Sequence, residues 1–331
     1  MRNHAEALRW RYECIVVEAL ASVLRSILMF PRQECSAMLC SEYPRRTLLE
    51  ATVARTTNHR RTRCDGGAPP TTTTQAGISL IAATHGLAPV TLAQLDEAQL
   101  HDRDESKVIL QTSDVPEALL GLASEYFVLE HEGERLQCYS NEYFDTAELR
   151  NYHEHHNQKG RRLKLRYRTY MNSDITFFEV KTNVNGRTVK ERRRSQRPDR
   201  RLLTQDALFL FKRTGQPPSS FVPSLSVDYQ RILLVRRDFT ERVTIDLNVS
   251  FSTTQTTVHV PGLAICEFKQ PKLDRRSPAI VALNRRPQNF SKYCMGLASC
   301  DPSLRRNRFK KVFRNLEALD AVPTIPTAVA A

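Results

Sequence analysis

The chain has 331 residues, 40% of them hydrophobic, enough for one large domain or two ordinary ones with a proper core. Lys and Arg number 49 against 36 Asp and Glu, a formal charge of +13. That balance excludes an acidic or neutral surface and points to an anionic partner: nucleic acid, an anionic membrane or a phosphate-rich ligand.

Eight cysteines stand at positions 14, 35, 40, 64, 138, 266, 294 and 300, and no pair has CxxC spacing. A zinc site or disulfide framework is not expected, and the default is a reducing, cytoplasmic setting. The nearest thing to a membrane span is the stretch 14–30, but Glu18 and Arg25 interrupt it well short of ~18 uninterrupted apolar residues.

Residues 1–87 read as a largely disordered extension. A helix is conceivable over 5–30, but Arg60, Arg61, the Gly66-Gly67-Ala68-Pro69-Pro70 breaker and the Thr71–Thr74 run follow neither structural period. From Thr91 the pattern becomes regular. Residues 92–100 predict a short helix and 107–110 a strand. Ser113-Asp114-Val115-Pro116-Glu117 opens a helix with a cap and a first-turn acid. Residues 136–143 predict the next strand. Residues 147–156 read as a short helix or loop carrying His153, His155 and His156, and within the polar stretch 152–159 these read as surface histidines.

The centre of the chain is Arg162-Leu163-Lys164-Leu165-Arg166-Tyr167-Arg168. Cations alternate there with Leu163, Leu165 and Tyr167 at period two, the side-chain period of a strand. Strands continue over 176–182 and 187–195, joined by the hairpin signal Asn185-Gly186, with Thr188, Lys190, Arg192 and Arg194 on one face. A helix is predicted over 204–212. Three strands follow. Val227, Tyr229 and Arg231 share a side in the first; Arg242, Thr244, Asp246 and Asn248 oppose Val243, Ile245, Leu247 and Val249 in the second; Ile265, Glu267 and Lys269 align in the third.

About eight alternating strands with marginal helices predict an α+β chain built on a closed antiparallel eight-stranded β-barrel with flanking helices, which leaves no edge open. Its apolar face points outward to the helices, and its cations point inward. Such an interior cannot be dry and unpaired. It reads as a tunnel holding an anion.

A series of motifs runs along the chain: Tyr143-Phe144-Asp145-Thr146, Arg162-x-Lys164-x-Arg166-x-Arg168-x-Tyr170, Phe178-Glu179-Val180-Lys181 and Thr188-Val189-Lys190-x-Arg192. Later come Tyr229-x-Arg231, Arg242-x-Thr244-x-Asp246, Glu267-x-Lys269 and Phe290-Ser291-Lys292-Tyr293. In this order they resemble the polyphosphate polymerase (VTC) domain family of the CYTH-like, or triphosphate tunnel metalloenzyme, superfamily. The similarity covers residues 88–300, with a C-terminal helix and disordered tail expected over 301–331. Val108 after Lys107 and Asn289 before Phe290 depart from the family pattern.

The resemblance implies a tunnel whose basic residues grip a nucleoside triphosphate and a growing inorganic polyphosphate, with manganese or magnesium on the triphosphate. It makes Lys107, Arg166, Arg168, Lys181, Arg231, Arg242 and Lys292 phosphate ligands and Glu267 the metal carboxylate, with Lys164, Lys190 and Arg192 as further binding residues. Glu179 and Asp246 either join the metal or neutralise neighbouring cations. Such chemistry asks mainly for positioning and charge stabilisation, so no Ser, Cys or His nucleophile is needed.

Other accounts remain open from sequence alone. A polyphosphate or inositol-phosphate binding module and a triphosphate hydrolase would use the same cations. Nucleic-acid binding is not expected, because it predicts more aromatics interleaved with the cations than Tyr167 and Tyr170. Translocation of a product would require a separate membrane-protein partner. Cys266 and Cys294 read as small buried apolar residues.

Overall fold

A computed structural model describes residues 79–97, 103–199 and 201–324. The chain divides into Met1–Arg61 and Thr62–Ala331, and every described residue belongs to the second unit. Most of the expected extension, residues 1–78, lies outside the described residues. Its last part is folded: α1 (Leu80–His85), capped by Ser79, buries Ala83, and Leu87 is buried just beyond it.

The remaining elements in chain order are β1 (Ala88–Val90), α2 (Leu92–Glu97), β2 (Asp104–Gln111), α3 (Val115–Gly121), β3 (Tyr126–Leu129) and β4 (Gln137–Asp145). Then come α4 (Arg150–His156), β5 (Arg161–Tyr170), β6 (Ile175–Val184), β7 (Arg187–Ser195), α5 (Thr204–Thr214) and β8 (Val222–Arg236). The last are β9 (Arg242–Ser252), β10 (Thr257–Val260), β11 (Leu263–Gln270), α6 (Pro278–Leu283), α7 (Lys292–Cys300) and α8 (Lys310–Ala318).

The strands form one sheet whose main path is β2-β11-β9-β8-β4-β5-β6-β7, antiparallel at every step. The sheet curls strongly. Lys107 of β2 and Lys181 of β6 stand six strand spacings apart along this path, roughly 29 Å on a flat sheet. Yet both crowd the ammonium of Lys164.

The expected closed barrel is not what the described residues form, because β2 and β7 do not pair. Gln288 N donates instead to the Lys107 carbonyl at 2.7 Å, so the segment leading into α7 occupies that edge. The first four residues of β7 are exposed. The molecule is therefore α+β with an antiparallel sheet curled into an open half-barrel.

Alternation places the apolar side chains as expected on the convex face. Ile232, Leu234, Val243, Ile245 and Phe268 pack with Ala83, Leu119 and Leu283 of α1, α3 and α6. Leu165, Tyr167, Phe178 and Val180 pack with Leu210 of α5. Each such side chain contributes about 1.5–3 kcal/mol by leaving water.

The concave face is not basic throughout. At one end Leu225, Val227, Val249 and Phe251 pack with Tyr293 and Leu297 of α7 and with Val312 and Leu316 of α8. At the other, Val235 packs with Val90, Leu95 and Leu129. The charged band lies between two apolar ends.

Val249 had been expected beside Val243, Ile245 and Leu247. It lies in the opposite core because Asn248 adopts a left-handed φ of 52° at a bulge, where the β8–β9 register shifts between Asp228 and Gln230. The extra residue inverts the alternation of everything after it.

Candidate functional site: a cationic band on the concave face

Strand register builds the band. Across β5, β6 and β7, Lys164 pairs with Lys181 and Lys181 with Lys190, a row of three ammonium groups. The adjacent row is Arg166, Glu179 and Arg192. On the opposite wall Arg231 pairs with Asp246, and Glu267 lies between Thr244 and Lys107. The hairpin turn supporting β6 and β7 has φ of 50° at Asn185 and 93° at Gly186, the backbone that Asn-Gly accepts most easily.

Three carboxylates sit among these cations, and each is already engaged. Glu179, 2% exposed, meets Arg166 Nε at 2.7 Å and Nη2 at 2.6 Å, and Lys190 Nζ at 2.6 Å. Burial alone would raise its pKa, but Arg166, Arg168 and Lys190 hold it well below the usual carboxylate range. Asp246, 1% exposed, accepts from Arg231 Nε at 2.5 Å and Nη2 at 2.8 Å, and also from Lys292 Nζ. Burial opposes its ionisation too, yet Arg231 and Lys292 bring its pKa to about 2.

Glu267 is held more loosely, 3.8 Å from Lys107 and 3.7 Å from Lys269. Beside it, the buried Thr244 Oγ1 has no hydrogen-bond partner among the described residues.

The cations differ in what restrains them. Lys164 donates to Ser291 Oγ at 2.9 Å, and that hydroxyl also caps α7. Burial, with Lys181, Lys107 and Arg166 nearby, lowers the Lys164 pKa to about 8. Partial burial, with 38% of the side chain still exposed, likewise lowers Lys190 to about 7; Arg168 and Arg166 lower it further, and Glu179 raises it. Lys181 forms no ion pair among the described residues.

Arg168 Nε donates to Asn141 at 3.1 Å, and Arg192 lies over Phe177 at 4.7 Å. Arg242 stands apart: its Nη2 donates to the Leu95 carbonyl and secures α2. Lys107, Arg166, Arg168, Lys181, Arg231 and Lys292 thus share the band with Lys164, Lys190 and Arg192, while Arg242 marks its edge.

Two features escaped the sequence reading. Tyr139 and Tyr229 stack at 5.3 Å, and Arg231 lies over both rings at 5.1 and 5.2 Å. Lys292 Nζ is 4.8 Å from the Tyr229 ring. The shelf holds the faces of these cations while their donors engage Asp246. Its signal was present in the shared parity of Tyr139, Asn141 and Tyr143 along β4.

The second feature is the burial of histidines on α4, a helix that falls within the short helix or loop expected over 147–156. His156 is buried against Phe309, and His155 faces the band. Burial, then Lys164, Arg162, Lys107 and Lys181, lower the His155 pKa to about 3 and keep the ring neutral.

A divalent metal fits only part of the expected ligand set. Among the described residues no three His, Cys, Asp or Glu side chains converge on one point. Glu179 and Asp246 neutralise arginines, because their oxygens are already taken by short charged contacts. Glu267 and the unpartnered Thr244 hydroxyl are hard oxygen donors. They suit a cation that draws its other ligands from water and phosphate.

The sequence has no match among curated proteins. Among solved structures, a candidate adenylyl cyclase from Hippeastrum, described as having a dominant triphosphatase activity, is similar over 58% of this chain and 94% of its own. The identity is 11% and the TM-score 0.39. A candidate adenylate cyclase from Bacillus halodurans is similar over 69% of this chain and 95% of its own, at 12% identity and a TM-score of 0.32. Another from Vibrio parahaemolyticus is similar over 59% and 99%, at 12% identity and 0.36. Residues 102–205 and 216–300 match the VTC domain. Because that match spans more than half of the sequence, including nearly every strand that carries the cationic band and Lys292 of α7, the chain belongs to the VTC domain family.

Proposed function

We propose that the band binds a nucleoside triphosphate and inorganic polyphosphate and transfers the γ-phosphoryl group to the chain end. A terminal phosphate oxygen of the acceptor attacks the γ-phosphorus. The bond from that phosphorus to the β,γ-bridging oxygen breaks, and the nucleoside diphosphate leaves with the electron pair. The observation that carries this reading is the row Lys164, Lys181 and Lys190 beside Arg166 and Arg168, with Glu179 as its one carboxylate. Cross-strand neighbours of like charge repel at ~5 Å unless a multivalent anion lies among them.

Arg166, Arg168 and Arg231 would fork onto phosphate oxygens, and Lys107, Lys181 and Lys292 would supply point charge. Glu267 and Thr244 would hold manganese or magnesium, which would supply positive charge against the phosphates when bound. The aromatic shelf and the Lys164–Ser291 bond keep the cations aimed before substrate arrives.

Among the described residues no helix is long and apolar enough to cross a membrane; coupling to translocation is assigned here to a membrane-protein partner.

The test incubates the full chain with ATP and manganese and measures polyphosphate and orthophosphate together, beside Lys292→Ala. Chain product that disappears in the variant supports the proposal. Orthophosphate alone would assign hydrolysis, and calorimetric polyphosphate binding without turnover would assign a binding module.

A further inference from the structure

Residues 305–314 carry six cations, Arg305, Arg306, Arg308, Lys310, Lys311 and Arg314, and no acid stands between Asp301 and Glu317. All six are exposed, and none forms an ion pair among the described residues. Arg306 rests on the Phe313 ring at 5.3 Å. On α8, Lys310 and Arg314 are four residues apart and Lys311 and Arg314 three, spacings at which like charges destabilise a helix. The opposite face buries Val312 and Leu316, so the cations are presented outward by a firmly seated element.

Three contacts tie this patch to the concave band. Tyr152 OH of α4 donates to the Arg305 carbonyl at 3.0 Å. Phe309 packs on Tyr152 and His156 of α4, and between them in sequence His155 faces Lys164, Arg162, Lys107 and Lys181. Asn315 donates to Gln288 Oε1 at 2.9 Å, and Gln288 N donates to the Lys107 carbonyl at 2.7 Å. The patch lies beyond residue 300, outside the residues that match the family.

We propose that residues 305–314 form an external track that binds a linear polyphosphate chain as it continues out of the concave band. The track rests on the band being a phosphate site, because a chain anchored there meets a second row of cations next to α4. Its occupant is a long phosphoanhydride polymer, since engaging the band and the external cations together asks for an extended polyanion. A membrane surface would not use the continuity with the band.

The experiment compares the full-length protein with a variant in which all six cations are changed to glutamine. Calorimetry measures tripolyphosphate and a chain of about one hundred phosphates, each across a salt series. The track predicts that the variant loses at least about tenfold in long-chain affinity near 0.1 M salt. Its log–log salt slope should shrink by about 0.7 for each phosphate contact removed.

Tripolyphosphate affinity should stay within about twofold. Unchanged long-chain affinity, or an equal loss for both ligands, overturns the track. So does a loss confined to vesicles containing anionic lipid, which assigns the patch to a membrane instead. If the unaltered protein fails to bind tripolyphosphate, the band's assignment fails by itself, while the long-chain comparison still decides the track. The double variant Arg308→Gln, Lys311→Gln, with a smaller drop expected, serves if the sixfold variant does not fold.

Discussion

Replacing Asp246 by asparagine removes the carboxylate that Arg231 and Lys292 share while keeping its shape. The amide retains one acceptor oxygen, and its NH2 group must face a guanidinium or ammonium that can only donate. Two buried cations then lack their counter-charge, a change that costs about 3–5 kcal/mol when a buried pair is broken. The titration behaviour sets a lower figure. A pKa of about 2 against an ordinary 3.8 is worth about 2 kcal/mol, at 1.36 kcal/mol per unit.

The folded pKa is the lower one. This stabilisation is therefore complete above the unfolded pKa near 4 and disappears as pH falls through 2. At ~2–4 °C per kcal/mol for a domain of this size, Asp246→Asn should lower the melting temperature by roughly 4–20 °C at pH 7. Thermal unfolding with and without tripolyphosphate is the assay, and the ligand should raise the melting temperature of the variant more than that of the unaltered protein. A change under about 2 °C, with the acid-unfolding curve unaltered between pH 4 and 2, would refute the reasoning.

Three further expectations can be checked in parallel. Lys164 and Lys190 have pKa values of about 8 and 7, so a bound polyanion should recharge them, and binding should take up protons between pH 7 and 8.5. Calorimetry in buffers of different ionisation enthalpy reads this directly; no uptake would contradict the crowding of these ammoniums by other cations, and Lys190→Arg should reduce it. Glu267→Gln should retain metal-free tripolyphosphate binding within about threefold but abolish manganese-dependent turnover, and unchanged manganese dependence would remove Glu267 from the metal site. A methyl group at Gly296 would meet Phe251 Cδ1 at 2.5 Å and Leu225 Cδ2 at 2.7 Å. Gly296→Ala should therefore cost about 1–3 kcal/mol in denaturant unfolding by overpacking α7 against the sheet, and an unchanged midpoint would show that α7 can shift freely.

Local alternation made the strands and the inward cations legible. The period of two in Arg162–Arg168 reports strand geometry wherever the strand lies, and Leu165 and Tyr167 occupy the convex core. Long-range pairing was less legible. Nothing local in β7 tells that β2 does not join it, because the Lys107 edge is taken by Gln288, nearly two hundred residues away in sequence. The roles of Glu179 and Asp246 likewise depended on partners brought in by other strands. His155 looked like surface because three histidines in a polar stretch carry no sign of the helix face that meets the band. The folding of α1 was missed for a related reason: its six residues bury little by themselves and become a helix through α3 and the convex core.

The left-handed residue in β9 has a consequence for how the molecule is put together. Upstream of Asn248 the strand feeds the layer under the outer helices, and downstream it feeds the packing beneath α7, from which Lys292 projects. One ribbon of backbone thereby fastens the outside of the shell to the scaffold of its lining. The placement of the Lys292 ammonium is bound to a single inserted residue, two positions beyond Asp246, the carboxylate that ammonium meets.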